Sequence, residues 1–81
     1  MADKYIIIGR ESCPFCNFAV DFCSAKYFES TFLDYEKNRE ILEDYKTYYD
    51  IATVPIILKN NTETGLVSFV GGYTDLLESF S

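Results

Sequence analysis

The stretch Tyr5-Ile6-Ile7-Ile8-Gly9-Arg10-Glu11-Ser12-Cys13-Pro14-Phe15-Cys16 constrains the chain more than any other. Its β-branched apolar run suits a strand buried on both faces, Gly9 ends it, and an amphipathic segment begins at Pro14. Two cysteines with two residues between them therefore stand at a strand-to-helix junction. A thiol at a helix start meets unpaired backbone N–H groups and the positive end of the helix dipole, both of which favour the thiolate. A second thiol three residues on is within reach of a disulfide with the first. Pro14 fits the first helical position, where its missing N–H had no partner and its φ is already helical. Taken alone, the pair also fits half of a zinc site, so the rest of the chain has to decide.

Length and composition narrow the choice. Eighty-one residues make one domain, large enough for a single core, and seven tyrosines with seven phenylalanines give that core bulky material. The net charge of −6 argues against a nucleic-acid surface, which needs an excess of lysine and arginine. With no histidine and three cysteines, the chain offers no Cys-His zinc site, no Cys₄ site and no histidine general base, so no metal is expected. Met1-Ala2-Asp3-Lys4 lacks the basic start and cleavage pattern of a signal peptide, and no segment approaches a membrane span. The expectation is a soluble protein of a reducing compartment, the cytoplasm, where C-x-x-C is more often catalytic than structural.

Along the chain, Lys4 to Ile8 predicts the first strand. From Pro14 to about Phe28, Phe15, Phe18, Ala19, Phe22, Cys23 and Tyr27 recur at helical spacing and predict a helix. Ser30 to Tyr35 reads as a second strand. Asn38 stands as N-cap to a helix running from Arg39 to about Tyr49, with Glu40 where the dipole favours an acid. Val54 to Leu58 predicts a third strand, Asn60 to Gly65 a turn-rich loop, and Leu66 to Val70 the other arm of a hairpin. Gly71-Gly72 breaks the chain before a last short helix from Tyr73 or Thr74 through Phe80. The order β-α-β-α-β-β-α implies an α/β fold: a βαβ unit followed by a hairpin, one four-stranded mixed sheet, and three helices covering its faces.

Three separated motifs now coincide: Cys13-Pro14-Phe15-Cys16 at the first helix, Thr53-Val54-Pro55 before the third strand, and Gly71-Gly72-Tyr73-Thr74-Asp75-Leu76 at the last helix. Together they resemble a dithiol glutaredoxin of the thioredoxin-like fold, over essentially the whole chain, and its shortness is most similar to virus- or phage-encoded members. The resemblance implies a glutathione-dependent thiol–disulfide oxidoreductase, a monomer, with glutathione as co-substrate and no permanently bound cofactor. Its implied substrates are glutathionylated or disulfide-bearing proteins, ribonucleotide reductase among them.

The same resemblance assigns roles. Cys13 is the nucleophile and Cys16 the resolving thiol, so deglutathionylation needs Cys13 alone. Pro55 is expected to be cis, with Val54 pairing with a bound peptide backbone beside Thr53. Gly72 and Thr74 at a helix start hold the γ-glutamyl carboxylate, Asp75 accepts the ammonium, and Arg10 meets the glycyl carboxylate. Phe15 replaces the more usual tyrosine, keeping the apolar contact. Ile51-Ala52 occupies a place where relatives carry a basic residue, which implies weaker glutathione binding; Lys37, Arg39 or Lys46 are the cations available to substitute. Cys23 is expected to be a buried thiol acting as a small hydrophobe.

Three other functions fit parts of the pattern. A thioredoxin- or redoxin-type donor reduced by a flavoenzyme would lack the Gly71–Asp75 element. An iron–sulfur carrier would use Cys13 and glutathione as ligands, but Pro14 is unlike the motifs that do so. A binding module with an inert disulfide would resist exchange with glutathione.

Overall fold

The computed structural model describes residues 3–79. The elements are β1 (Asp3–Gly9), α1 (Pro14–Ala25), β2 (Glu29–Asp34), α2 (Arg39–Tyr49), β3 (Ile56–Asn61), β4 (Leu66–Gly71) and α3 (Tyr73–Glu78). They build the expected four-stranded mixed sheet in the order β2-β1-β3-β4, with β1 parallel to β2 and antiparallel to β3, and β3 antiparallel to β4.

Because side chains alternate along a strand, the unbroken isoleucine run of β1 feeds two cores. Tyr5 and Ile7, with Ile57 of β3, pack against Ala19 and Cys23 of α1 and Leu76 of α3. On the other face Ile8, with Ile56 and Leu58, packs against Leu42 of α2. Each fully buried isoleucine contributes about 1.5–3 kcal/mol of transfer free energy, so the two central strands carry most of the stabilisation.

β1, β2 and β4 differ from the sequence expectation by a residue at an end, and α1 and β3 differ by more. The first helix ends at Ala25 rather than near Phe28, because Tyr27 turns to φ 61° and the Phe28 N–H reaches back to the Cys23 carbonyl at 2.9 Å. That left-handed turn swings Phe28 onto Tyr5, with ring centroids 5.3 Å apart. Phe15, Phe18 and Tyr27 therefore do not join the core: they are 56%, 48% and 96% exposed, while the buried seam of α1 is Cys16, Ala19 and Cys23. Val54-Pro55 precedes β3, and β3 runs on through Asn61. Asn61 then anchors the turn, its Oδ1 accepting the Glu63 and Thr64 N–H groups at 3.0 and 3.3 Å. Asn38 occupies the N-cap position of α2 but makes no side-chain cap bond. The expected last residue of the final helix, Phe80, lies outside the described residues.

Replacing Ile57, which is fully buried between α1, α3 and the sheet, by alanine should cost about 2–5 kcal/mol in denaturant unfolding. The same truncation at Val67, more than half exposed on β4, should stay within about 0.5 kcal/mol.

Candidate active site

Strand register assembles the site. Ile8 pairs with Ile56, so the chain leaving β1 toward Cys13 passes beside the chain entering β3 from Pro55. Ile57 pairs with Gly71, which sets the end of β4 and the start of α3 next to the same point. Segments forty or more residues apart thus meet at one edge: Cys13 Sγ lies 3.9 Å from the Val54 carbonyl oxygen. The Val54–Pro55 peptide bond is cis.

Cys13 is the N-cap of α1, with extended backbone (φ −87°, ψ 117°) and Pro14 following. Its carbonyl accepts the Cys16 and Asn17 N–H groups at 3.1 and 3.2 Å, and no side chain caps the helix. All three cysteines are free thiols. Cys13 keeps 7% exposure, while Cys16 and Cys23 have none. Burial pushes the Cys16 thiol up to about 12; a backbone hydrogen bond at Arg10 opposes this, and the neighbouring Cys13 adds to it. Burial also raises Cys23, which fits its expected role as an apolar filler. Gly9 is fixed by this packing, since a Cβ there would collide with Cys16 Sγ.

At the third segment Gly71 adopts φ 122°, a conformation that suits glycine, and a Cβ there would also meet the Asp75 carboxylate. Asp75, third residue of α3, accepts the Gly72 N–H on Oδ2 at 2.9 Å. Gly72 has no side chain to return the bond, so the acid alone caps this helix.

A groove of about 610 Å³, in the size range of small-molecule sites, opens over Cys13. The residues that the resemblance assigned to the site line it with one exception: Arg10, Cys13 and Phe15 from one side, Thr53, Val54 and Pro55 from the second, Gly72, Thr74 and Asp75 from the third. Cys16 is the exception, lying behind Cys13 under the helix start. The groove also contains Tyr73 and Lys46, to which the motifs gave no role. Tyr73 joins Phe15 and Phe18 in a ring cluster with centroids 5.8–6.0 Å apart. Of the three candidate substitute cations, Lys46 alone reaches the groove, its Nζ 3.1 Å from Glu43 Oε2. Arg39 pairs with Glu36 at 2.8 Å, and Lys37 lines a separate hollow.

A dithiol at the junction of a parallel strand and a helix, facing a cis-proline loop, defines a thioredoxin-superfamily site. Neither protein-family models nor curated proteins match the chain, but solved structures do. Glutaredoxin 1 from Francisella tularensis, crystallised with cacodylate, is 25% identical, covers 96% of this chain and 92% of its own, and superposes with a TM-score of 0.64. G4, a poxviral disulfide oxidoreductase essential for cytoplasmic disulfide bond formation, is 20% identical, covers 86% and 69%, and has a TM-score of 0.56. The protein is glutaredoxin-like, and these neighbours indicate a thiol–disulfide oxidoreductase. Among the described residues no helix is long and apolar enough to cross a membrane.

A raised Cys16 thiol has a thermodynamic signature. The unfolded chain releases this proton near the ordinary thiol value of 9 and the native protein only near 12, so its contribution is complete below 9 and lost above it. Unfolding of the reduced protein, compared with Cys16→Ser, should show the difference shrinking between those values by up to about 1 kcal/mol per pH unit.

Proposed function

We propose that the protein is a glutathione-dependent oxidoreductase that reduces glutathione mixed disulfides and protein disulfides in the cytoplasm. The observation that carries this reading is the single groove in which Thr53-Val54-Pro55, Gly72–Asp75 and two cations surround Cys13. Its chemistry matches a γ-linked tripeptide thiol. Val54 offers backbone pairing to an extended peptide. Thr74 and the α3 backbone face a carboxylate, and Asp75 Oδ1, which makes no hydrogen bond among the described residues, faces an ammonium. Arg10 and Lys46 supply charge for the glycyl carboxylate.

In the reaction the Cys13 thiolate attacks the glutathione sulfur of a mixed disulfide. The S–S bond breaks, the substrate leaves as a thiolate that takes up a proton, and glutathione stays bonded to Cys13. A free glutathione thiolate then attacks that glutathione sulfur, releasing glutathione disulfide and regenerating the Cys13 thiolate, so that one mixed disulfide and one glutathione become one substrate thiol and one glutathione disulfide. With a protein disulfide, such as that of ribonucleotide reductase, the Cys13 thiolate attacks one substrate sulfur while the other leaves as a thiolate that takes up a proton, and Cys16 then loses its proton and attacks Cys13 Sγ of this mixed disulfide. The second substrate thiolate is released, and the Cys13–Cys16 disulfide is then reduced by two glutathiones. A buried Cys16 that holds its proton at neutral pH supports this order, because it leaves Cys13 as the thiol that meets substrate.

Glutathione-dependent reduction of a small mixed disulfide should fall to background in Cys13→Ser and stay within about threefold of wild type in Cys16→Ser. Inactivity of the wild type with glutathione, together with reduction of a protein disulfide when a flavoenzyme reductase supplies electrons, would replace this reading with a redoxin-type donor. Arg10→Ala and Lys46→Ala should each raise the KM for glutathione about five- to tenfold with kcat little changed, as expected for loss of a partly exposed charge-assisted contact.

A further inference from the structure

The three residues between β1 and Cys13 lie outside any strand or helix, and the backbone donors of two of them, Glu11 and Ser12, are taken up by the end of β2 and the loop after it. Gly9 pairs with Asp34 in the parallel β1–β2 ladder, so the chain leaves both strands at the same end of the sheet. There the Glu11 N–H donates to Asp34 Oδ1 at 3.1 Å, and the same oxygen accepts the Glu36 N–H at 3.0 Å. Glu36 Oε1 accepts from Ser12 twice, from its N–H at 3.1 Å and its hydroxyl at 2.5 Å. Arg39 Nη2 holds the other oxygen, Oε2, at 2.8 Å.

This is more than a solvated polar surface. A single exposed carboxylate contact is worth little. Here one carboxylate is fixed at both oxygens, on one side by Arg39 and on the other by both donors of the residue directly before Cys13. Two further bonds lock the same turn: the Cys13 N–H donates to the Arg10 carbonyl at 3.1 Å, and Asn17 Nδ2 donates to the Glu11 carbonyl at 3.1 Å. The backbone of Ser12 thereby loses the freedom that would let Cys13 swing away from Cys16 and Val54.

We propose that Glu36, backed by Asp34 and Arg39, is a positioning residue that pins Ser12 and so fixes the Cys13 sulfur in line for attack by Cys16. This rests on the reading of Cys13 and Cys16 as the reacting pair. The hydrogen bonds from Ser12 and Arg39 hold the Glu36 carboxyl down at about 2, so the clamp is charged at neutral pH. An uncharged amide in place of this carboxylate still offers Ser12 an acceptor, so geometry and charge can be separated.

The test needs no glutathione. The reduced full-length protein is mixed rapidly with 5,5′-dithiobis(2-nitrobenzoate). Attack by Cys13 releases one coloured thiolate and leaves the other half bonded to Cys13; attack by Cys16 on Cys13 Sγ then releases the second and closes the disulfide. Glu36→Ala should slow the second release on the order of tenfold while leaving the first within a few-fold, the scale expected when a reacting group loses alignment. Glu36→Gln keeps an acceptor for Ser12 without the charge and should restore the second release; Ser12→Ala should slow it less than Glu36→Ala. Thermal midpoints of the variants close to wild type would show that folding is not the cause. Equal behaviour of Glu36→Ala and Glu36→Gln would mean that charge alone matters and would overturn the proposal, as would a second release unchanged in all variants. A wild type that releases no second thiolate would overturn the reading of the Cys13–Cys16 pair and the clamp with it.

Discussion

Strands β1 and β3 bury isoleucine on both faces, and their antiparallel pairing in one register, Ile8 with Ile56 and Ile7 with Ile57, is what the site depends on. A slip of one residue would turn every buried side chain of a strand to the opposite core, so two-sided burial makes the register stringent. Once it is set, the exit of β1 and the entry of β3 are neighbours, and Cys13 and Val54 come together across forty-one positions of sequence. The hairpin to β4 then delivers Gly72–Asp75 to the same edge. The packing that stabilises the protein and the geometry that gives it chemistry are consequences of one pairing.

Within that frame the two thiols of the C-x-x-C are made unequal by depth. Cys13, at the helix start, keeps an opening to the groove, whereas Cys16 lies one turn inward against Gly9, where a larger residue has no space. Burial keeps the inner thiol protonated, and position gives the outer one access to substrate. Around them Arg10 and Lys46 line the groove opposite Asp75, while Asp34 and Glu36 face the loop behind Cys13 and engage its backbone. An acidic chain thus presents cations where an anionic co-substrate would lie.

Much of this was legible from residue order. The seven elements and their sequence follow from β-branched runs, helical spacing and glycine breaks, and the motif residues that the resemblance assigned to a site line one groove, except Cys16, which is buried. What periodicity missed has specific causes. Phe15 and Phe18 have helical spacing with the core residues but sit on a stripe facing Tyr73, so an aromatic count overstated the core. Tyr27 takes a left-handed conformation that side-chain pattern does not announce, and this shortens α1. Which of Lys37, Arg39 and Lys46 reaches the groove, and the Glu36 clamp itself, depend on tertiary packing with no local signal in the sequence.

The most direct test is to trap the Cys16→Ser protein as a Cys13–glutathione mixed disulfide and map the glutathione by NMR. The account requires intermolecular contacts from the cysteinyl backbone to Val54 and from the γ-glutamyl group to Thr74 and Asp75, with shift changes at Arg10 and Lys46. A glutathione attached at Cys13 but making no contact with Val54, Thr74 or Asp75 would contradict it: Cys13 would still be a reactive thiol, but the groove would not be a glutathione site.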